Sequence, residues 1–194
     1  IRRMMVYLTG GIGTGKSTGL SMFADLGARI VSADVIVHEL LAQPELQAVI
    51  ATTLGLEDAS SRENIAKRGF SDPAALRALE SLVHPLVAEE IDALRRDFPA
   101  NDVLIYEVPL PPTAGTGERV ITVEAPLDVR RQRLQQRGMS ATDIDARIAV
   151  QESPAEYKRD ATYVIENDGS EEHLHNQVER VWEVLQREIG RAHV

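Results

Sequence analysis

Residues 10–18 constrain this chain most, because they fit the pattern G-x-x-x-x-G-K-[ST] that phosphate-binding loops share. The apolar run at residues 4–8 before the loop predicts a buried strand. After the loop, Leu20, Phe23 and Leu26 recur at helical spacing and predict a helix that Gly27 ends. A glycine-rich loop between a strand and a helix N-terminus suits an anion, because backbone N–H groups and the helix dipole both favour negative charge. The alternative is a chance glycine-rich turn, which the agreement of strand, spacing and helix disfavours.

The chemistry of such a loop assigns roles to its residues. Lys16 is expected to reach the β- and γ-phosphates of a nucleotide, and the hydroxyl of Ser17 is expected to hold Mg²⁺. The other loop residues predicted to bind the nucleotide are Gly11, Gly13, Thr14, Gly15 and Thr18. The loop therefore predicts a nucleotide bound together with Mg²⁺.

Strands and helices alternate along the rest of the chain. Further strands are predicted at 28–31, 103–106, 120–123 and 163–165, and helices at 35–41, 44–54, 72–94, 127–137, 141–151 and 174–189. Pro85 should break or kink the helix at 72–94 just after His84. The alternation predicts an α/β fold: a three-layer sandwich of the P-loop NTPase type, with a five-stranded, mainly parallel sheet and helices on both faces. Ligands of such sheets bind at the carboxyl ends of the strands.

Length and composition narrow the classes of protein. The chain has 194 residues, which suits a single domain with a small lid, and 43% of them are hydrophobic, which suits a packed core. It contains no cysteine, so neither a disulfide framework nor a thiolate zinc site is expected. A formal net charge of −9 disfavours broad contact with nucleic acid. We expect no membrane span and a cytoplasmic location, because no signal peptide and no long apolar run are visible.

Two carboxylates follow predicted strands and are candidates for chemistry. Asp34 comes just after the second strand, where it could accept a proton from a substrate hydroxyl or help to hold Mg²⁺. It could equally be the N-cap of the helix predicted from Val35. Glu107 ends the third strand, where an acidic residue can reach the metal through water, or it is an ordinary polar residue that leaves a strand.

Arginines mark the region between 127 and 158. Arg130, Arg133 and Arg137 are three and four residues apart and share one face of a helix, and Arg147 follows on the next helix. Phosphoryl transfer spreads negative charge that arginines can stabilise, so these two helices are predicted to form a lid. The alternative is a solvated, salt-bridged surface, whose acidic partners would be Asp128, Asp143 and Asp145.

Several motifs, taken in order, resemble the dephospho-CoA kinase family over nearly the whole chain. The loop is similar to the family's TGGIGSGKS, and Asp34 falls on the last Asp of its D-A-D motif. The other similar segments are 84–87 (HP-[LI]-V), 108–110 (the start of V-P-L-L-x-E), 133–137 and 147–151 (the lid), and 161–169 (A-D-x-V-I-x-N-x-G). The loop alone is shared by many NTPases, whereas the ordered set is specific.

The resemblance implies a kinase that uses ATP and Mg²⁺ to phosphorylate the 3′-hydroxyl of dephospho-CoA. It implies that Asp34 is the catalytic base and that Arg137 covers the phosphates or stacks on adenine. The residues implied beside adenine are Asn167 and Gly169, and those implied at the acceptor are Asp34, His84, Pro109 and Arg147. A lone histidine such as His84 is otherwise more often structural.

The same resemblance divides the chain by role. It implies a core at about 4–34, 101–125 and 160–190, acceptor-binding helices at about 35–98, and a lid at about 127–158. A monomer or weak homo-oligomer is expected, with no nucleic acid and no membrane as partner.

The chain departs from the family's pattern at three places. Ser32 stands where the family has the first Asp of D-A-D, and residues 111–113 replace the second Leu and the Glu of V-P-L-L-x-E. Residues 57–62 are also shorter than the family's hairpin-like segment. Two alternatives therefore stay open: another small-molecule kinase of the nucleoside monophosphate type, or a nucleotide-binding protein with weakened acceptor chemistry.

Overall fold

The structure, a computed structural model, describes residues 3–110, 112, 118–151 and 153–190, apart from the side chains of Phe70 and Pro154. Most of the turn-rich segment at 109–117, including the departure at 111 and 113, lies outside the described residues. None of the helices in the described part of the chain has the length and apolar character to cross a membrane.

The chain forms two compact units, one within Ile1–Ser32 and Phe98–Val194 and the other spanning Ala33–Asp97. The elements in chain order are β1 (Met4–Thr9), α1 (Lys16–Asp25), β2 (Arg29–Ser32), α2 (Ala33–Leu41), α3 (Pro44–Leu54), α4 (Arg62–Ser71), α5 (Pro73–Asp97), β3 (Val103–Glu107), β4 (Arg119–Glu124), α6 (Leu127–Gln136), α7 (Ala141–Ala149), α8 (Pro154–Arg159), β5 (Tyr163–Glu166) and α9 (Glu171–Gly190).

The first unit is built on a five-stranded sheet in the order β2-β3-β1-β4-β5, with every pairing parallel. The predicted α/β class and parallel sheet are confirmed. Parallel strands are buried on both faces, which explains why β1, β3 and β4 read as almost continuous apolar runs. Their carboxyl ends lie at one edge of the sheet, and the phosphate loop leaves β1 at that edge.

Side chains of alternate strand residues form the main core with helices α1 and α9. Val6, Leu8, Ile105 and Ile121 are fully buried there. The apolar stripe of α9 is buried against them, and its buried members are Leu174, Val178, Val181, Leu185 and Ile189. Burying each such side chain stabilises the fold by about 1.5–3 kcal/mol. On the other face of the sheet, the hydroxyl of Thr122 donates to the carbonyl of Tyr157 in α8, at 2.8 Å.

The second unit is a group of four helices, α2 to α5, in which α5 contacts each of the others. Asp72 begins α5 as predicted, because its carboxylate accepts from the N–H of Ala74 at 2.9 Å. That hydrogen bond is also the main reason why the pKa of Asp72 is below its usual value.

Of the break or kink predicted after His84, the break does not occur, because α5 runs through Pro85 and spans 25 residues in all, Pro73–Asp97. Proline removes one backbone donor, and the carbonyl that loses its partner is that of Ser81, four residues earlier. Both Ser81 and Pro85 are exposed, so water can hydrate that carbonyl. Val83 and Ile91, buried on either side of Pro85, anchor the helix.

Two helices were not predicted, and two predicted helices are shorter than expected. Helix α4 is mostly polar, so it lacks an apolar stripe, and its signal is the cap at Ser61, which accepts from the N–H of Asn64 at 3.3 Å. Helix α8 is a single short segment that begins with a capping box between Ser153 and Glu156. Helix α7 ends at Ala149 rather than at residue 151, and α6 ends at Gln136 rather than at residue 137.

Candidate active site

The phosphate loop connects the buried strand β1 to the N-terminus of α1. Gly15 precedes the helix in the left-handed region, with φ 95°, and its neighbour Asn167 is so close that a Cβ at this position would collide with the amide nitrogen. Glycine is therefore required both by the backbone angle and by the contact. The N-terminal amides of α1 have no side-chain cap, which leaves this end of the helix suited to an anion.

Lys16 lies against the beginning of the loop. Its Nζ donates to the carbonyl oxygens of Gly10 and Gly11, at 2.6 Å and 3.2 Å. Ser17 and Thr18 follow on the exposed side of the first helical turn. Within the described residues the hydroxyl of Ser17 has no hydrogen-bond partner, which leaves both of its lone pairs open to a ligand.

The carbonyl groups of the loop apex bind side chains from distant parts of the chain. Arg130 Nε donates to the oxygen of Ile12 at 2.8 Å. Arg133 Nη1 donates to the oxygens of Gly13 and Thr14, at 3.3 Å and 3.4 Å. The amide of Asn167 donates to the oxygen of Thr14 at 2.8 Å and its own oxygen accepts from Arg133 at 3.2 Å.

A solvated surface is therefore the wrong interpretation for two of the arginines of α6. Arg130 is only 8% exposed. Burial lowers the pKa of Arg130 from its usual value, an effect that Tyr157 and Glu124 oppose. Burial lowers the pKa of Arg133 as well, and the charge of Arg137 adds to the effect. Arg131, by contrast, is the surface arginine of this helix, and it pairs with Asp145 at 2.6 Å.

A cavity of about 490 Å³ opens beside the loop and is large enough for a small-molecule ligand. Five of the residues that line it are predicted from the sequence to bind the nucleotide, namely Gly15, Thr18, Arg137, Asn167 and Gly169. The remaining lining residues are Arg133, Gln136, Glu171 and Leu174. The spacing of the arginines in α6 was the signal for Arg133, whereas no sequence pattern indicated the other three.

Gln151, which belongs to the segment that resembles the family's lid, also reaches the loop. Its side-chain oxygen accepts from the backbone N–H of Ile12 at 2.7 Å. The two residues are far apart in sequence, and the resemblance of 147–151 to the family's lid was the only signal that concerned Gln151. In this conformation, a side chain from the predicted lid holds one of the amides that could otherwise bind a phosphate.

The four residues that the resemblance assigns to the acceptor are divided between the two compact units. Pro109 and Arg147 belong to the first unit and are exposed, and the carbonyl of Pro109 accepts from the hydroxyl of Tyr157 at 2.9 Å. Asp34 and His84 belong to the second unit and are exposed as well. Asp34 is not an N-cap, because α2 already begins at Ala33 and places Asp34 inside the first turn.

The described residues do not form a metal site from protein ligands alone. Nowhere in the described part of the chain do three or more His, Cys, Asp or Glu side chains form a group that could hold an ion. The open hydroxyl of Ser17 nevertheless fits Mg²⁺, which keeps several waters and takes further ligands from substrate phosphates. Glu107 is a second oxygen donor at the same edge, because it pairs with Leu8 at the end of β1.

This combination of sheet order, loop and helix N-terminus defines a protein with the P-loop NTPase fold. Shikimate kinase from Acinetobacter baumannii has the same fold, with a TM-score of 0.57 and 14% identity over 95% of this chain and 94% of that chain. A crystal structure from Thermus thermophilus superposes with a TM-score of 0.80, at 29% identity over 95% of this chain and 99% of that chain.

Sequence comparison identifies the family within this class. The family model of dephospho-CoA kinases matches residues 4–173. The dephospho-CoA kinases of Frankia casuarinae and Aquifex aeolicus are each 35% identical to this chain, over 93% and 94% of it and over 82% and 98% of their own lengths. The chain belongs to the dephospho-CoA kinase family, as the motifs of the sequence predicted.

Proposed function

We propose that this protein transfers the γ-phosphate of ATP to the 3′-hydroxyl of dephospho-CoA. The observation that carries the proposal is the match of the dephospho-CoA kinase model to residues 4–173, which includes the phosphate loop and its helix. The cavity beside that loop supports the nucleotide half of the reaction. No observation favours either of the two alternatives considered from the sequence.

The loop and Lys16 hold the ATP phosphates. Phosphoryl transfer depends on positioning and on charge stabilisation, and backbone amides with a lysine ammonium supply both. To reach the phosphates, Lys16 leaves the carbonyls of Gly10 and Gly11, which it contacts in this structure. Ser17 and Glu107 are the oxygen donors proposed for Mg²⁺, which when bound supplies neutralising charge next to the phosphates.

Asp34 is proposed to accept the proton of the acceptor hydroxyl. Its exposed carboxylate is available for that contact, and the first turn of α2 favours its negative charge. His84, Pro109 and Arg147 are proposed to bind the acceptor. All three are exposed and open to a ligand.

Arg137 and the segment that follows it are proposed to close over the nucleotide. Arg137 lines the cavity and is the C-cap residue that follows α6, and Gly138, with φ 87°, turns the chain towards α7. Asn167 and Gly169 line the same cavity and are proposed to contact the nucleotide. Closure of such a lid excludes water from the transferred phosphate.

The test is a direct assay with purified protein, ATP, Mg²⁺ and dephospho-CoA, in which product is separated from substrate. AMP and CMP at the same concentration serve as competing acceptors, and a reaction without acceptor measures hydrolysis of ATP. We expect transfer to dephospho-CoA alone. Transfer to a nucleoside monophosphate instead, or hydrolysis alone, would overturn the proposal.

Lys16→Ala is the matched control for the loop. The substitution removes the ammonium from the β- and γ-phosphates, so we expect turnover to fall by about 100-fold or more. The melting temperature of the variant should stay close to that of the wild type. Near-normal turnover would exclude a catalytic role for the loop.

A further inference from the structure

The outer side of the phosphate loop is held by a buried arginine whose role the reaction does not yet explain. Arg130 lies in the first turns of α6 and is 8% exposed, and its Nε donates to the carbonyl of Ile12 at 2.8 Å. Its guanidinium also lies directly against Gly11. A Cβ at Gly11 would be 2.5 Å from Nη2 and 3.0 Å from Cζ of Arg130.

The hydrogen bond to Ile12 sets the orientation of a peptide group. The peptide between Ile12 and Gly13 is planar and trans, so its carbonyl and its N–H point in opposite directions. With the carbonyl of Ile12 directed at the guanidinium of Arg130, the N–H of Gly13 is directed away from that guanidinium. Among the described residues this N–H has no hydrogen-bond partner, so it is available to a ligand.

We propose that Arg130 is a positioning residue for phosphoryl transfer, which fixes the Ile12–Gly13 peptide so that the N–H of Gly13 faces the nucleotide phosphates. Arg130 acts through the loop, because its Nε is engaged with a backbone carbonyl. Donors that are oriented before the substrate binds need no reorganisation as charge develops on the transferred group. The effect on turnover rests on the proposed function, whereas the effect on nucleotide affinity rests only on the loop.

Three substitutions separate the donor at Nε from the charge of the side chain. In Arg130→Gln the amide nitrogen is the same number of bonds from Cα as Nε, so a donor is kept and the charge is lost. In Arg130→Met a methyl group takes that place, so both are lost. In Arg130→Lys the charge is kept, but a methylene stands where Nε was.

The control is Arg131→Gln on the same helix. It removes the same charge one residue away, from an exposed pair with Asp145 that contributes little. Calorimetry with ADP gives the affinity of the loop, and the assay with ATP and dephospho-CoA gives kcat and KM. The melting temperature of each variant without ligand gives its stability.

We expect Arg130→Met and Arg130→Lys to weaken ADP binding and to lower kcat by about tenfold each, as for the loss of one hydrogen bond from a charged donor. Arg130→Gln should stay within about threefold of the Arg131→Gln control on both measures. If Arg130→Met does not fold, comparing Arg130→Lys with Arg130→Gln still shows whether the donor at Nε or the charge of the side chain matters.

The proposal is overturned if Arg130→Lys behaves as the wild type while Arg130→Gln does not, because charge would then be what matters. It is equally overturned if all the Arg130 variants match the control. Failure of the wild type to phosphorylate dephospho-CoA would instead reject the proposed function. Even then, the ranking of the Arg130 variants by ADP affinity would test whether Arg130 orients the Ile12–Gly13 peptide.

Discussion

At the residue scale, Asn167 shows how one buried side chain joins several parts of the site. It is 5% exposed, it donates to the carbonyl of Thr14, and its own oxygens accept from Arg133. Its side chain thus both donates and accepts in this network, and it connects the loop to α6. The phosphate loop is therefore stabilised by side chains from the second half of the chain.

Asp34→Asn tests the proposed base. Asparagine cannot accept a proton, so kcat should fall by about 100-fold or more. Asn also removes a favourable charge from the first turn of α2, which should cost less than about 1 kcal/mol of stability. Turnover, ADP affinity and melting temperature are measured on one preparation.

In the Asp34→Asn variant ADP affinity should be unchanged, because the phosphate loop is intact. If the variant is stable, binds ADP and turns over normally, Asp34 is not the base.

Arg137→Ala tests the assignment of the cavity. Arg137 lines it, so loss of a charged donor should raise the KM for ATP by about tenfold and leave the KM for dephospho-CoA nearly unchanged. Arg147→Ala is the matched variant, since Arg147 is an exposed arginine assigned to the acceptor, and it should show the opposite pattern. Steady-state kinetics with each substrate varied gives both constants. Small, equal effects in the two variants would favour the solvated-surface interpretation for these residues.

At the element scale, the segment from α6 to α8 contacts the sheet and the loop at several points. Lys158 near the end of α8 pairs with Glu124 at 2.6 Å and with Glu166 at 3.5 Å, and these carboxylates end β4 and β5. The hydrogen bond to Glu124 is the main cause of the raised pKa of Lys158. Together with Gln151 on Ile12, this pair attaches the predicted lid to the carboxyl edge of the sheet.

Gln151→Ala tests whether the lid competes with the nucleotide. The variant loses the hydrogen bond from the N–H of Ile12, which then becomes available to a phosphate. One neutral hydrogen bond is worth about 0.5–1.5 kcal/mol, so ADP affinity should rise by about two- to tenfold. Calorimetry measures the affinity of the variant for ADP. The control is Gln135→Ala, which lies on the exposed face of α6. Weaker binding would show that Gln151 supports the nucleotide site instead.

Pro85→Ala tests the cost of proline inside α5. Alanine restores the backbone donor to the carbonyl of Ser81 and favours the helix, so stability should rise. Each kcal/mol corresponds to about 2–4 °C in melting temperature for a protein of this size. Ala88→Pro, on the same exposed part of the helix, is the reverse control and should lower the melting temperature. A lower melting temperature for Pro85→Ala would show that α5 is adapted to the proline.

At the scale of the whole molecule, the residues proposed for the nucleotide lie in the first compact unit, whereas those proposed for the acceptor come from both units. The first contains the phosphate loop and the nucleotide cavity. The second consists of α2 to α5 and carries Asp34 and His84. We therefore expect ADP to slow hydrogen exchange in the first unit, and dephospho-CoA to slow exchange in the second unit as well.

Hydrogen–deuterium exchange with each ligand checks that division. ADP should slow exchange in residues 10–18, 130–137 and 167–171, because these contain the loop and the cavity lining. Dephospho-CoA should slow exchange within residues 33–97. Protection of 33–97 by ADP alone, with none by dephospho-CoA, would contradict the assignment of this unit to the acceptor.

The sequence by itself determined the features that depend on neighbours along the chain. The phosphate loop, the five strands and the last helix follow from spacing of a few residues. The structure has the strands within one residue of the predicted bounds, and α9 begins three residues earlier than predicted. The same applies to the family, because its motifs are short and come in a fixed order. Local patterns suffice here because backbone angles and periodic burial act over one or two helical turns.

Only the tertiary structure decided which partners the side chains of the site have. Arg130 and Ile12 are 118 residues apart, and Gln151 and Ile12 are 139 apart. The spacing of Arg130, Arg133 and Arg137 predicted a shared helix face, but the same spacing suits a solvated surface. The burial of Arg130 and the hydrogen bonds of Arg133 to the loop chose between the two for these two arginines. Likewise, the passage of α5 through Pro85 depends on anchoring by Val83 and Ile91, because one missing hydrogen bond costs less than the packing contributes.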